Sequence, residues 1–186
     1  LRSEDDEQVL LGVASVTFWG FAQGRDRRHT KERALSRAKI VAGQGKRNGD
    51  PKSVITKAVR TISSLLDDGK RQAAIREGMK LKHHGLAFAS KLLAFSAPAT
   101  ECVFDEVISL RLQKSNDPRL KGLYVPTSGQ HRLDEKAVAY EGWAKLCSAK
   151  AAELNASELR WGDWDGKERQ WRAVDVERAF FALGRS

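Results

Sequence analysis

The feature that most constrains this chain is the spacing of its apolar side chains. Behind Asp50-Pro51, residues Val54, Ile55, Ala58, Val59, Ile62, Leu65 and Leu66 recur at three- and four-residue steps. That period places them on one stripe of an α-helix, and the stripe has to be buried against other elements. Segments of the same kind run from Leu11 to Ala22, closed by Gly24, and from Thr30 to Ala42, closed by Gly43-Gln44-Gly45. Further ones cover Gly69 to Met79, Phe88 to Ala97 before Pro98, Glu106 to Gln113, Asp134 to about Lys150, and about Lys167 to Leu183 with Gly184 as its stop. Asp50 is placed to cap the helix that Pro51 opens, and Asp105 to cap the one at Glu106. Strand-type alternation is confined to a short candidate at Val13 to Phe18. Asn116 to Gln130, rich in Pro, Gly, Ser and Asp, reads as a long surface loop. The expectation is an all-α fold, a compact helical bundle in which residues 1–186 form a single domain.

Composition narrows the function. Of the 186 residues, 41% are hydrophobic and 31% charged, the balance of a globular protein and not of a disordered one. No apolar run approaches the roughly 20 residues that cross a bilayer. The acidic start, Leu1-Arg2-Ser3-Glu4-Asp5-Asp6-Glu7, is unlike a signal peptide, so a cytoplasmic protein is expected. Cys102 and Cys147 are too few for a disulfide scaffold and read as reduced thiols. No group of Cys and His has zinc-ligand spacing, which excludes a zinc finger.

The charge is directional. Lys and Arg number 33 against 24 Asp and Glu, a formal net charge of +9. Nine basic residues crowd into Arg25 to Arg47, among them Arg25, Arg28, Arg33 and Arg37, against only Asp26 and Glu32. A second basic patch runs from Lys70 through Lys80 to Lys82 and leads into His83-His84. Such an excess suits a polyanionic partner, since neutralised phosphates release their condensed counterions.

The stretch with chemical content is Gly85-Leu86-Ala87-Phe88-Ala89-Ser90-Lys91, followed by Pro98 and then Cys102-Val103-Phe104-Asp105-Glu106. It reads as two helices joined by a tight glycine-containing turn, roughly residues 69–97, with Lys91 near the start of the second helix. Amides at such a helix N-terminus suit a phosphate. Asp105 opens the next helix fourteen residues after Lys91, so an amine and a carboxyl from neighbouring helix starts can face one small volume.

Here the sequence resembles the helix–hairpin–helix DNA glycosylases, more narrowly their 8-oxoguanine DNA glycosylase-like bacterial branch. Phe88-Ala89-Ser90-Lys91 looks like the hairpin end with its lysine, and Val103-Phe104-Asp105 like the aspartate turn. Trp171-Arg172-Ala173-Val174-Asp175-Val176-Glu177-Arg178-Ala179-Phe180-Phe181 is similar to the closing helix of that branch. Ala89 stands where a second glycine is usual, and the Lys-to-Asp interval implies a trimmed turn.

The resemblance implies an enzyme that flips an abnormal base out of duplex DNA and cuts its N-glycosidic bond. It assigns Lys91 as the amine nucleophile at C1′, with Schiff-base strand cleavage to follow, and Asp105 as the electrostatic stabiliser of the sugar's developing positive charge. Lys80, Lys82, His83, His84, Gly85 and Ser90 would hold the DNA backbone together with Arg25 and Arg28. Trp19, Trp171, Phe180 and Phe181 would line the base pocket, with one of the two phenylalanines expected in the core. The expected partner is duplex DNA carrying an oxidised guanine or a hypermodified phage base, in base-excision repair or phage defence near a bacterial nucleoid. No metal or organic cofactor and no membrane is implied, and the protein is expected to be a monomer. Two other classes stay open. One is a non-catalytic helix–hairpin–helix DNA-binding module, and the other a helical interaction domain whose basic face meets an acidic protein.

Overall fold

The computed structural model describes residues 1–22, 30–44, 49–129, 132–163 and 165–182. In chain order these form α1 (Asp6–Ala22), α2 (Lys31–Val41), α3 (Lys52–Asp67), α4 (Arg71–Lys80), α5 (Leu86–Ser96), α6 (Glu106–Lys114), α7 (Pro118–Lys121), α8 (Leu133–Ala156) and α9 (Ala173–Ala182). Two-residue strands β1 (Trp161–Gly162) and β2 (Glu168–Arg169) pair antiparallel between α8 and α9, with Trp161 opposite Arg169. The fold is all-α, as the apolar period predicts, with this small hairpin as its only sheet among the described residues. Gly24, Trp164, Leu183 and Gly184 lie outside the described residues.

Several local expectations are corrected. Val13 to Phe18 is helical, because Val9, Leu10, Val13, Val16 and Thr17 of α1 are buried at helical spacing. Asp50 does not cap α3. Its carboxylate accepts the Lys82 amide at 2.7 Å, which leaves the helix to begin behind Pro51 without a side-chain cap. The predicted loop contains α7, where Asp117 accepts the Arg119 amide at 2.9 Å and Pro118 fills the first turn. The segment at Lys167 pairs into the hairpin, so α9 begins only at Ala173.

Two apolar cores meet at α5. Leu92 packs with Val9, Val13, Ile55 and Val59 from α1 and α3. Leu86, Ala89 and Leu93, on the adjoining face of the same helix, join Ile75, Phe104, Tyr140 and Trp143 in the larger core. The α8 face Ala137, Tyr140, Ala144, Cys147 and Ala151 runs through that core at steps of three and four.

Helices α4 and α5 are joined by the turn on which the hairpin was expected, and that turn differs from the expected one. The left-handed residue is His83, at φ 65°, while Gly85 is extended and caps α5. Ala89 therefore lies inside α5 and not in the turn. It is fully buried against Gly78 of α4, where an added Cβ would come within 3.0 Å of the Ala89 Cβ. That close approach sets the distance between the two helices. Gly78→Val should overpack the crossing and cost about 1–3 kcal/mol, read as a lower urea midpoint at unchanged slope. An unchanged midpoint would mean the crossing is slack.

Candidate active site

The segment between α5 and α6 is pinned residue by residue. Arg71 donates through Nε to the Glu101 carboxylate at 2.8 Å, and the Tyr140 hydroxyl donates to the same group at 2.9 Å. Cys102 is fully buried, as is Cys147, both cysteines being free, and burial and the neighbouring Cys147 push the Cys102 thiol well above its ordinary range. The Trp143 indole donates to the Val103 carbonyl at 3.0 Å. The Phe104 amide donates to Ser90 Oγ at 2.9 Å inside the core, and the Ser90 hydroxyl donates on to the Ala87 carbonyl. Asp105 then caps α6, accepting the Ile108 amide at 3.1 Å. Backbone bonds from Ala173 to Ala99 and from Val174 to Pro98 tie the start of α9 to the same segment.

These ties enclose a cavity of about 750 Å³. Trp19 and Gly20 of α1 form one wall, and Lys91, Ala94 and Phe95 of α5 another. Pro98, Val103 and Asp105 line it from the pinned segment, and Arg172, Glu177, Arg178 and Phe181 from α9 and the residue before it. A volume of several hundred Å³ is the size range of small-molecule sites. Lys91 and Asp105 thus open onto one space.

Lys91 is the sixth residue of α5 and only 8% exposed, deeper in its helix than the sequence suggests. Its Nζ lies 3.3 Å from the Ala87 carbonyl oxygen and 5.4 Å from the centre of the Phe88 ring. Gly20 makes room for it, since a Cβ there would meet the Phe88 ring at 3.0 Å and the Lys91 stem at 3.2 Å. Burial pulls the Lys91 amine below its ordinary range, against the opposing pull of the Asp105 and Glu177 carboxylates. A lysine made easier to deprotonate is a better nucleophile.

Glu177 is the residue that sequence reasoning passed over. It is 5% exposed, and burial pushes its carboxyl up to about 8, with the Asp105 charge adding to the rise. Lys91, the Val103 amide and Arg178 act in the opposite direction. The available signal was a carboxylate among Ala173, Val176 and Phe180 at helical spacing on an apolar face.

The other predicted residues divide. Trp19 and Phe181 line the cavity. Phe180 does not: its ring meets Trp143 edge-on at 5.1 Å in the large core, and Arg111 donates to its carbonyl. Trp171 is also elsewhere, 6.5 Å from Trp161 in a separate cleft of about 250 Å³ that Asp175 and Arg178 help to line. Ser90 is fully buried and reaches no surface, holding Phe104 instead. His84 is 2% exposed, with Nδ1 3.0 Å from the Lys82 carbonyl, and burial lowers its pKa. Lys80, Lys82 and His83 are exposed, Lys80 pairing with Glu77 and His83 lying 3.5 Å from Arg37 of α2. Gly85 caps α5 at the end of that turn. Arg25 and Arg28 lie outside the described residues. Among the described residues, no helix is long and apolar enough to cross a membrane.

Two outcomes follow from this geometry. Ser90→Ala strands the Phe104 amide in the core and should cost about 1–3 kcal/mol in urea unfolding. Stability equal to the parent would show that the bond is dispensable. For Glu177 the sign of the pH effect is fixed. The folded carboxyl titrates near about 8, and an unfolded one near about 4.3. Between those values the folded chain keeps a proton that the unfolded chain has lost, so this group's contribution falls as pH rises. Glu177→Gln should therefore gain on the parent in urea midpoint from pH 5 to pH 8.5. A pH-independent difference would contradict the burial of a titrating group.

A comparison with family models matches residues 1–181 to the family described as "Putative 8-oxoguanine DNA glycosylase OGG-like protein". No curated protein and no solved structure matched. Covered over all but its last five residues, with α4, α5, Lys91 and Asp105 inside that span, the chain belongs to the 8-oxoguanine DNA glycosylase-like family.

Proposed function

We propose that this protein is a DNA glycosylase that extrudes an oxidised guanine from duplex DNA and excises it with Lys91 as amine nucleophile and Asp105 as electrostatic partner. One observation carries the reading: a buried ammonium with a lowered pKa and a carboxyl from the next helix start line a single cavity of about 750 Å³. A nucleoside that entered would bring its C1′ between the two groups. The neutral amine attacks C1′, the bond to the base breaks with its electron pair leaving on the base, and Asp105 stabilises the positive charge that builds on the sugar. Opening of the sugar ring then gives a Schiff base, from which the 3′ strand can be eliminated. Trp19 and Phe181 would cover the faces of the extruded base. The exposed turn with Lys82 and His83, next to Arg37, is suited to the phosphates of the duplex.

The whole described chain is read as one functional unit, because α1, α5 and α9 all contribute walls to the site. The test is incubation with duplexes that each carry one modified base, 8-oxoguanine among them, in the presence of borohydride. The parent should give base release and a trapped covalent adduct. Lys91→Gln should abolish the adduct, and Asp105→Asn should slow release by about 10²-fold or more. Release that persists in Lys91→Gln and vanishes in Asp105→Asn would recast the protein as a monofunctional hydrolase whose Asp105 activates water. Unchanged activity in both variants would discard the assignment.

A further inference from the structure

The reaction as written leaves Glu177 without a task. It projects from α9 into the same cavity as Lys91 and Asp105 and is only 5% exposed. A buried carboxyl is costly to ionise, and a site that keeps one tends to use it. Its surroundings are specific. Lys91 faces it from α5, and Asp105, the buried Cys102 thiol and the Val103 amide from the pinned segment. On its own side stand Arg178 and Arg172, the latter held by both carboxylate oxygens of Asp175. Helix α1 contributes Trp19 and Gly20, neither charged.

We infer that Glu177 is the general acid of the excision, handing its proton to the base as Lys91 attacks C1′; the inference rests on the Lys91 chemistry proposed above. The arrangement supplies what such a step requires. A nucleotide filling the cavity meets an amine from α5 and a carboxyl from α9 at once. The proton and electron flow closes on itself. The amine lone pair forms the N–C1′ bond, the C1′–base bond breaks with its pair moving to the base nitrogen, and the Glu177 O–H proton goes to that nitrogen. Glu177, left as carboxylate, recovers a proton from the secondary ammonium of the adduct. No outside acid or oxidant enters. With its carboxyl raised to about 8, Glu177 holds that proton at neutral pH and loses it above. Asp105 is occupied as the cap of α6, so the two carboxyls have different work.

The test separates base departure from amine chemistry. Single-turnover excision is measured on a duplex with 8-oxoguanine from pH 6 to pH 10, and borohydride trapping on the same duplex carrying a ready-made abasic site, where no base has to leave. The parent should excise with a rate that falls as pH rises through about 8. Glu177→Gln should lose about 10²-fold or more in excision and the alkaline fall with it, a loss at least about tenfold larger than its loss in abasic trapping. Glu177→Asp, which keeps a titrating carboxyl, should restore part of the excision and the alkaline fall. Excision by Glu177→Gln at the parental rate and pH profile would overturn the inference. So would equal losses on both substrates, or a Glu177→Asp variant as inactive as the Gln variant. A parent that neither excises nor traps would instead remove the proposed function, and this inference with it.

Discussion

The site depends on one buried hydrogen bond, from the Phe104 amide to Ser90 Oγ at 2.9 Å. Each of its ends is the chain neighbour of a side chain that lines the cavity. Ser90 precedes Lys91 on α5, and Phe104 precedes Asp105 at the start of α6. Fixing the two backbones to each other therefore fixes where an amine and a carboxyl can meet. Inside the core the bond has no water to compete with it, and losing it would leave a stranded amide, so the penalty for loosening this junction is high.

A second constraint acts on Lys91 itself. Its ammonium is buried where Gly20 opens a slot, which costs solvation and shifts the amine toward its neutral form. Such a group normally persists in a fold because nearby carboxyls offset part of the cost. Here Asp105 does so, while Glu177 is itself pushed toward its protonated form by the same burial. The cavity thus holds an amine that has been made easy to deprotonate beside a carboxyl that has been made hard to deprotonate. Two titratable groups driven apart by one environment is the arrangement from which acid and nucleophile roles are drawn.

Much of this was legible in the sequence, for physical reasons. Residues 54–66 announce α3 because their apolar side chains recur at helical spacing; Ile55, Ala58, Val59 and Ile62 are buried and Leu65 and Leu66 partly so, whereas Val54, at the edge of the stripe, is exposed. Asp105 reads as a cap, and the structure gives it the amide of Ile108. The nearness of Lys91 and Asp105 follows from consecutive helices joined by a short segment. What escaped depended on helix phase and on long-range packing. Adjacent positions on a helix point about 100° apart, so Phe180 joins the core face while Phe181 shares the cavity face with Glu177, four residues earlier. The two-residue strands at 161–162 and 168–169 are too short to show alternation. Asp50 was free to cap its own helix, yet the approach of the hairpin turn gave it the Lys82 amide instead. His83 takes the left-handed conformation two residues before Gly85, which is itself extended as the cap of α5.

The central claim is that the chemistry is done by one particular buried amine. Peptide mapping by mass spectrometry of the borohydride-reduced adduct, after digestion of both protein and DNA, reads this directly. The account predicts a deoxyribose-derived mass on the side chain of Lys91, in the peptide that continues toward Ala94 and Phe95. The same mass on the terminal amine, on Lys136 or on an exposed lysine such as Lys82 would contradict it.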